Sequence, residues 1–195
     1  SSAAVKAESD ICCTSSNAVR IVRSLPQHTV VMLPDKNLAD YVARAVPEKR
    51  ILPYAGFCPT HHRLSLEDVA QARRSLPGAP VLVHPECEPE VVAAADFAGS
   101  TAQILQRVSA GSETAYLIGT EKGGLHAIAK AAPGKTLQVV SDKLICPDMK
   151  KIRLEDVADC LESLQPSVSI PDGIRARAML AVTRMMEVSD APVSV

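Results

Sequence analysis

The 195 residues carry 21 lysines and arginines against 22 acidic residues, a formal net charge of −1 with no long basic run, which makes nucleic acid and anionic membrane poor partners. Apolar residues are 47% of the chain but aromatics only 3%, so the core must be built from Leu, Val, Ile and Ala. No apolar segment reaches the roughly 20 residues that span a bilayer, and the opening SSAAVKAESD lacks the apolar run of a signal peptide. Six cysteines in such a chain suit reduced thiols or metal ligation better than disulfides, and the expectation is a cytoplasmic protein.

In chain order, Ala3 to Ser9 reads as the end of a helix and Ile11 to Cys13 as a short strand. Thr14-Ser15-Ser16 caps a helix over about Asn17 to Leu25. A strand over Thr29 to Leu33, a loop at Pro34 to Asn37, a helix over Leu38 to Ala45 and a strand over Arg50 to Leu52 follow. The last of these strands leads into Ala55 to His62, and Ser65 caps a helix to about Leu76 with Glu67 and Asp68 in its first turn. Val81-Leu82-Val83 is a short apolar run that reads as a buried strand ending at His84-Pro85-Glu86-Cys87. Val91 to Ala95 is a helix, Asp96 to Ala98 is extended, and Gly99-Ser100-Thr101 opens the next helix. Strand (Thr114 to Ile118), loop, helix (Leu125 to Ala131) and strand (Thr136 to Val140) come next. Leu154, Val157, Leu161 and Leu164 mark one helix by spacing, with Cys160 packed beside that stripe. Ile174, Ala178, Ala181 and Met185 mark another, and Ser189 to Val195 reads as a loose end.

Alternating strands and helices predict an α/β fold with parallel sheets between helical layers. The chain also repeats itself. Asp10 and Asp96, Ser15 and Thr101, Lys36 and Lys122, Pro47 and Pro133, and Lys49 and Lys135 are all 86 positions apart. Cys58 and Cys146, each followed by proline, are 88 apart. In this register the first copy lacks the counterpart of Val81 to Val83, and with it those of His84 and Glu86. A parallel strand left out exposes its neighbour's edge, so the expectation is a fragment or a natural truncation. The domains expected are an incomplete α/β domain over 1–57, a complete one over 58–145, and a loop with helices over 146–195.

Ligands of parallel α/β folds bind at the carboxyl ends of the strands. His84 and Glu86 stand at one such end, Ser100 and Thr101 at the next. Helix starts offer backbone N–H groups to anions as well as positions for capping hydroxyls, so Ser15, Ser100 and Thr101 are candidates for both roles. Lys36 and Lys122 occupy equivalent loops, where an ion pair and a phosphate contact are equally open. His61 and His62 follow Cys58 and are candidates to support it without being counted among the site residues, and Cys12, Cys13 and Cys87 are read as structural.

Seven motifs, CTSSNAV, LPDKNL, GFCPTH, VLVHPEC, GST, IGTEKG and CPDMKKI, occur in order from Cys13 to Ile152. With them the sequence resembles the quinolinate synthase family of NAD biosynthesis. The resemblance implies three similar α/β domains around a pseudo-threefold axis, the first of them missing here, with the 146–195 helices packing on it. It implies condensation of iminoaspartate with dihydroxyacetone phosphate to quinolinate, with an aspartate-oxidising enzyme as the supplier of iminoaspartate. It also implies a [4Fe–4S] cluster held by Cys58, Cys146 and a third cysteine about 28 positions before Ser1, leaving an iron open as a Lewis acid. Glu86 is then the expected general base, His84 orients a substrate carboxylate, and Ser15, Ser100 and Thr101 bind substrate. Activity of the 195 residues alone is not expected. The alternative from another class is a non-catalytic remnant that binds phosphate or carboxylate anions at its helix starts without a cluster.

Overall fold

A computed structural model describes residues 1–190. The elements in order are α1 (Ala3–Ala7), α2 (Ala18–Ser24), β1 (Thr29–Met32), α3 (Lys36–Ala45), β2 (Arg50–Pro53), α4 (Pro59–His62), α5 (Leu66–Ser75) and β3 (Val81–Val83). They continue with α6 (Pro89–Ala94), β4 (Phe97–Ala98), α7 (Thr101–Ala110), β5 (Ala115–Gly119), α8 (Gly124–Ala131), β6 (Thr136–Val139), α9 (Leu154–Ser163) and α10 (Asp172–Asp190). The fold is α/β, with two small parallel sheets ordered β1-β2 and β4-β3-β5-β6. Two compact units are present, Thr14–Ile145 and a second formed by Ser1–Cys13 with the chain from Cys146.

The larger unit owes its layers to alternation along the central strands. Val81 and Val83 of β3 and Leu117 of β5 face a core with Val69 and Ala72 of α5, Val91 of α6, Cys87 and Leu144. Leu82, Tyr116 and Ile118 point the other way, into a core with Ile104 and Val108 of α7 and Ile128 of α8. Helices on both faces explain why all three residues of β3 are fully buried and why the strand reads as an unbroken apolar run. Gly119 of β5 pairs with Val83 of β3. A Cβ there would sit 2.7 Å from Val83 Cγ1, so a side chain would push the two strands apart.

The repeat is physical. Thr29 pairs with Arg50 across β1 and β2, and Ala115 with Thr136 across β5 and β6, the same register displaced by 86. Lys49 Nζ donates to the carbonyls of Leu25 and Gln27, while Lys135 Nζ donates to those of Val108 and Gly111, so each lysine closes the chain just after its helix. The Lys36 N–H donates to the Gly56 carbonyl and the Lys122 N–H to the Leu144 carbonyl, both at 2.7 Å. Here the offset of the acceptor has grown to 88, the spacing of the two Cys-Pro pairs.

Three local expectations fail, each for a reason. Ile11 to Cys13 forms no strand. Its counterpart in the second copy, β4, is held by β3, and the described residues supply no such neighbour in the first. The Cys12 N–H donates instead to the Ala181 carbonyl of α10, 3.0 Å away. Thr14, Ser15 and Ser16 do not cap α2, because the Asn17 side chain turns back to accept the Thr14 N–H at 2.6 Å and the Thr14 and Ser16 hydroxyls bond each other. Cys160 does not pack, for α9 has no buried residue at all and the thiol is exposed. In the smaller unit α1 and α10 pack together, burying Ala7, Ala178 and Ala181, with Arg177 and Glu8 paired at 3.0 Å. Of the Ser189 to Val195 end, Ser189 and Asp190 close α10 and the rest lies outside the described residues. Among the described residues no helix is long and apolar enough to cross a membrane.

Candidate functional site

Pro59 at the first helical position, with Cys58 in extended conformation before it, starts the one-turn helix α4. One turn carries His61 back over Cys58, so residues i and i+3 share a face. Across from them β3 delivers His84 and Glu86 at its carboxyl end, and β5 delivers Thr120. His61 Nδ1 lies 3.1 Å from Glu86 Oε2, and its Nε2 lies 3.1 Å from Thr120 Oγ1. The His61 and His84 rings stack with centroids 4.2 Å apart. The ligand atoms of Cys58, His61 and Glu86 all lie within 4.8 Å of one another.

Two residues of the LPDKNL motif hold this constellation in place. Buried Asp35 caps α3 by accepting the Leu38 N–H at 2.8 Å, and its other oxygen accepts the Cys58 N–H at 2.7 Å. Buried Asn37 donates to the Glu86 carbonyl at 2.9 Å and contacts His62 Nδ1 at 3.1 Å. His62 in turn pairs with Glu88 at 3.1 Å.

Charge follows from these contacts. Burial works against a charged His61, but hydrogen bonds to Cys58 and Glu86 outweigh it and raise the imidazole to about 9. Burial and the neighbouring His61 lower His84 to about 4, leaving it neutral. Burial opposes ionisation of Glu86 too, yet the His61 hydrogen bond and nearby His84 bring its carboxyl below the ordinary value. His84 Nδ1 accepts the Glu86 N–H at 3.2 Å, so the neutral ring carries its proton on Nε2. The cluster is therefore an ionised carboxylate, a cationic imidazole and a neutral imidazole with one donor, Nε2–H.

The other expected residues each have their own local setting. Ser100 caps α7 in a reciprocal box with Gln103, its oxygen accepting the Gln103 N–H, and Thr101 follows exposed in the first turn. Ser15 is half-buried in the turn before α2, and Gln103 Nε2 reaches the Ser16 carbonyl at 3.5 Å, so the two helix-start turns adjoin. Cys146 is a half-buried thiol of the smaller unit, in the turns after β6, and all six cysteines are thiols. Buried Cys87 belongs to the core, where burial pushes its thiol up to about 12. Lys122 pairs with Asp142 at 2.6 Å, whereas Lys36 lies over the Phe57 ring at 5.2 Å. Sequence reasoning left His61 outside the site and missed Thr120, Asp35 and Asn37. The signal for His61 was Cys-Pro followed by histidine at i+3, which Pro59 makes helical.

Residues 1–187 match the family model described as quinolinate synthetase A protein. The chain is 47% identical over 188 residues to the quinolinate synthase of Alkaliphilus metalliredigens, an alignment covering 96% of this chain and 62% of that protein. To the quinolinate synthase of Methanoregula boonei it is 48% identical over 184 residues, 94% of this chain and 61% of that one. To quinolinate synthase 1 of Methanosarcina acetivorans it is 45% identical, covering 96% and 62%. The chain thus spans less than two thirds of the length of these relatives.

Proposed function

The chain belongs to the quinolinate synthase family, and from that membership we propose that it contributes to condensing iminoaspartate with dihydroxyacetone phosphate to quinolinate, with release of phosphate and water. The observation that carries this reading is the ionised Glu86 carboxylate, held by His61 at the carboxyl end of β3 beside the Cys58 thiol. Imine and enol chemistry both require a proton to leave carbon, and a carboxylate fixed in one place is suited to accept it. His84, neutral with its proton on Nε2, donates to a substrate carboxylate. Ser100, Thr101 and the N–H groups opening α7 favour a substrate anion, and the adjoining Ser15 turn extends that surface.

Cys58 and Cys146 fit an iron–sulfur group by donor chemistry: both are half-buried thiols outside any disulfide, and Asp35 fixes the Cys58 backbone. They would hold a [4Fe–4S] cluster together with a third thiolate from sequence beyond this chain, and the cluster when bound supplies a Lewis acid for dehydration. We place the protein in the cytoplasm with an aspartate-oxidising enzyme as its supplier. The anion-binding remnant is not favoured, since the similar proteins are named quinolinate synthases. The test is iron content and quinolinate formation in the full-length protein purified without oxygen. Cys58→Ser and Cys146→Ser lose both, while Cys160→Ser, altering an exposed thiol, keeps both. Equal iron in all three variants would overturn the ligand assignment.

A further inference from the structure

We propose that Cys58, His61 and Glu86 form a site for a single divalent transition ion of the zinc class in the cluster-free protein. The donors are a thiolate, an imidazole nitrogen and a carboxylate oxygen, the mixed set that borderline-soft ions select over magnesium or calcium. Tetrahedral zinc with bonds of about 2.0–2.3 Å spaces its donors about 3.3–3.8 Å apart. The three atoms already lie within 4.8 Å of one another, so closing on an ion takes side-chain movements on the order of 1 Å. Three protein ligands leave a fourth position open, and both Cys58 and Glu86 are only partly buried, so the site has access to solvent.

What distinguishes this from a chance grouping is that every ligand is held from behind. Thr120, 1% exposed, sits 3.1 Å from His61 Nε2, so its oxygen can accept the Nε2–H hydrogen bond while Nδ1, its proton displaced to solvent, offers its lone pair to the ion. The Cys58 N–H is bound by Asp35 and the Glu86 carbonyl by Asn37, which fixes the backbone of the other two ligands. All six residues belong to the Thr14–Ile145 unit, so the site needs neither a cluster nor any residue outside that unit. On the reading of Cys58 as a cluster ligand, ion and cluster exclude each other, because they share one sulfur.

Cobalt(II) titrated into the reduced, metal-free 195-residue protein tests this, read by the thiolate-to-cobalt band in the near ultraviolet and the tetrahedral bands in the visible. One ion per chain is expected, with both signals absent in Cys58→Ser and unchanged in Cys160→Ser and in the Cys12→Ser/Cys13→Ser double variant. His61→Ala and Glu86→Gln should weaken binding at least tenfold, and Thr120→Val by about tenfold with recovery in Thr120→Ser. Glu86→Gln preserves shape, so it remains informative if His61→Ala does not fold by circular dichroism. An undiminished band in Cys58→Ser, its loss in the Cys12/Cys13 variant, or wild-type affinity in Glu86→Gln would each overturn the assignment. Because no turnover is measured, the outcome is separate from that of the proposed reaction.

Discussion

His61 and His84 stack almost parallel, 11° apart, yet their surroundings drive their proton affinities in opposite directions. His61 is raised to about 9 because, against burial, Cys58 and Glu86 bond its charged form; His84 is lowered to about 4 by burial and by His61 itself. Both start from an ordinary value of 6.5. The raised His61 stabilises the fold fully below 6.5 and loses that contribution as pH rises through 9. The lowered His84 favours the fold above 6.5, and that contribution is lost as pH falls through 4. Each is worth on the order of 3 kcal/mol. Urea stability of the metal-free protein should therefore peak near pH 6.5, and histidine NMR should show one ring titrating near 9 and another near 4. Two rings titrating together near 6.5 would contradict this.

Asp68, in the first turn of α5, gives a second pH dependence. Burial opposes its charge, but the Ser65 N–H and hydroxyl, Lys143 and the Ser141 hydroxyl all bond its carboxylate, holding it at about 2. A lowered carboxyl stabilises the fold above its ordinary 3.8 and loses this as pH falls toward 2. Asp68→Asn should cost about 2 kcal/mol at pH 7 and progressively less below pH 4, measured by urea unfolding. A pH-independent loss would show that the effect is packing and not charge.

Asn37 ties the first repeat to the central loop. Asn37→Ala leaves the Glu86 carbonyl and His62 Nδ1 without their donor in a buried setting, a cost of about 1–3 kcal/mol. The unfolding midpoint should drop accordingly, and wild-type stability would mean the loop is held by other contacts.

Glu86→Gln keeps the side chain's shape and removes its basicity. In the full-length protein it should retain iron while quinolinate formation falls about 10²–10⁴-fold. Turnover at the wild-type rate would remove Glu86 from the reaction.

Much of this was legible in the residues. Val81-Leu82-Val83 reads as a strand covered on both sides, since an unbroken apolar run leaves no polar face for water. Ser65 with Asp68 and Ser100 with Gln103 mark helix starts because the hydrogen bonds they make lie within one turn. The 86-residue repeat implies one plan for both copies, and β1-β2 and β5-β6 do share one register, because like sequences pair alike. Family membership lay in seven ordered motifs.

What the sequence could not determine is whatever depends on a neighbour far along the chain. Ile11 to Cys13 has the sequence of a strand, but so short a strand exists only if another lies beside it. Cys160 lies on an apolar stripe, but a stripe is buried only when something covers it, and in this structure α9 is bare. His61 looks like one half of an ordinary His-His pair until Glu86, Thr120 and His84 close around it from 25, 59 and 23 positions away. Its charge, and the neutrality of His84, are set by distances of 3 to 4 Å that exist only once β3, β5 and α4 are packed, because hydrogen bonding and desolvation act over that range and sequence separation does not measure it.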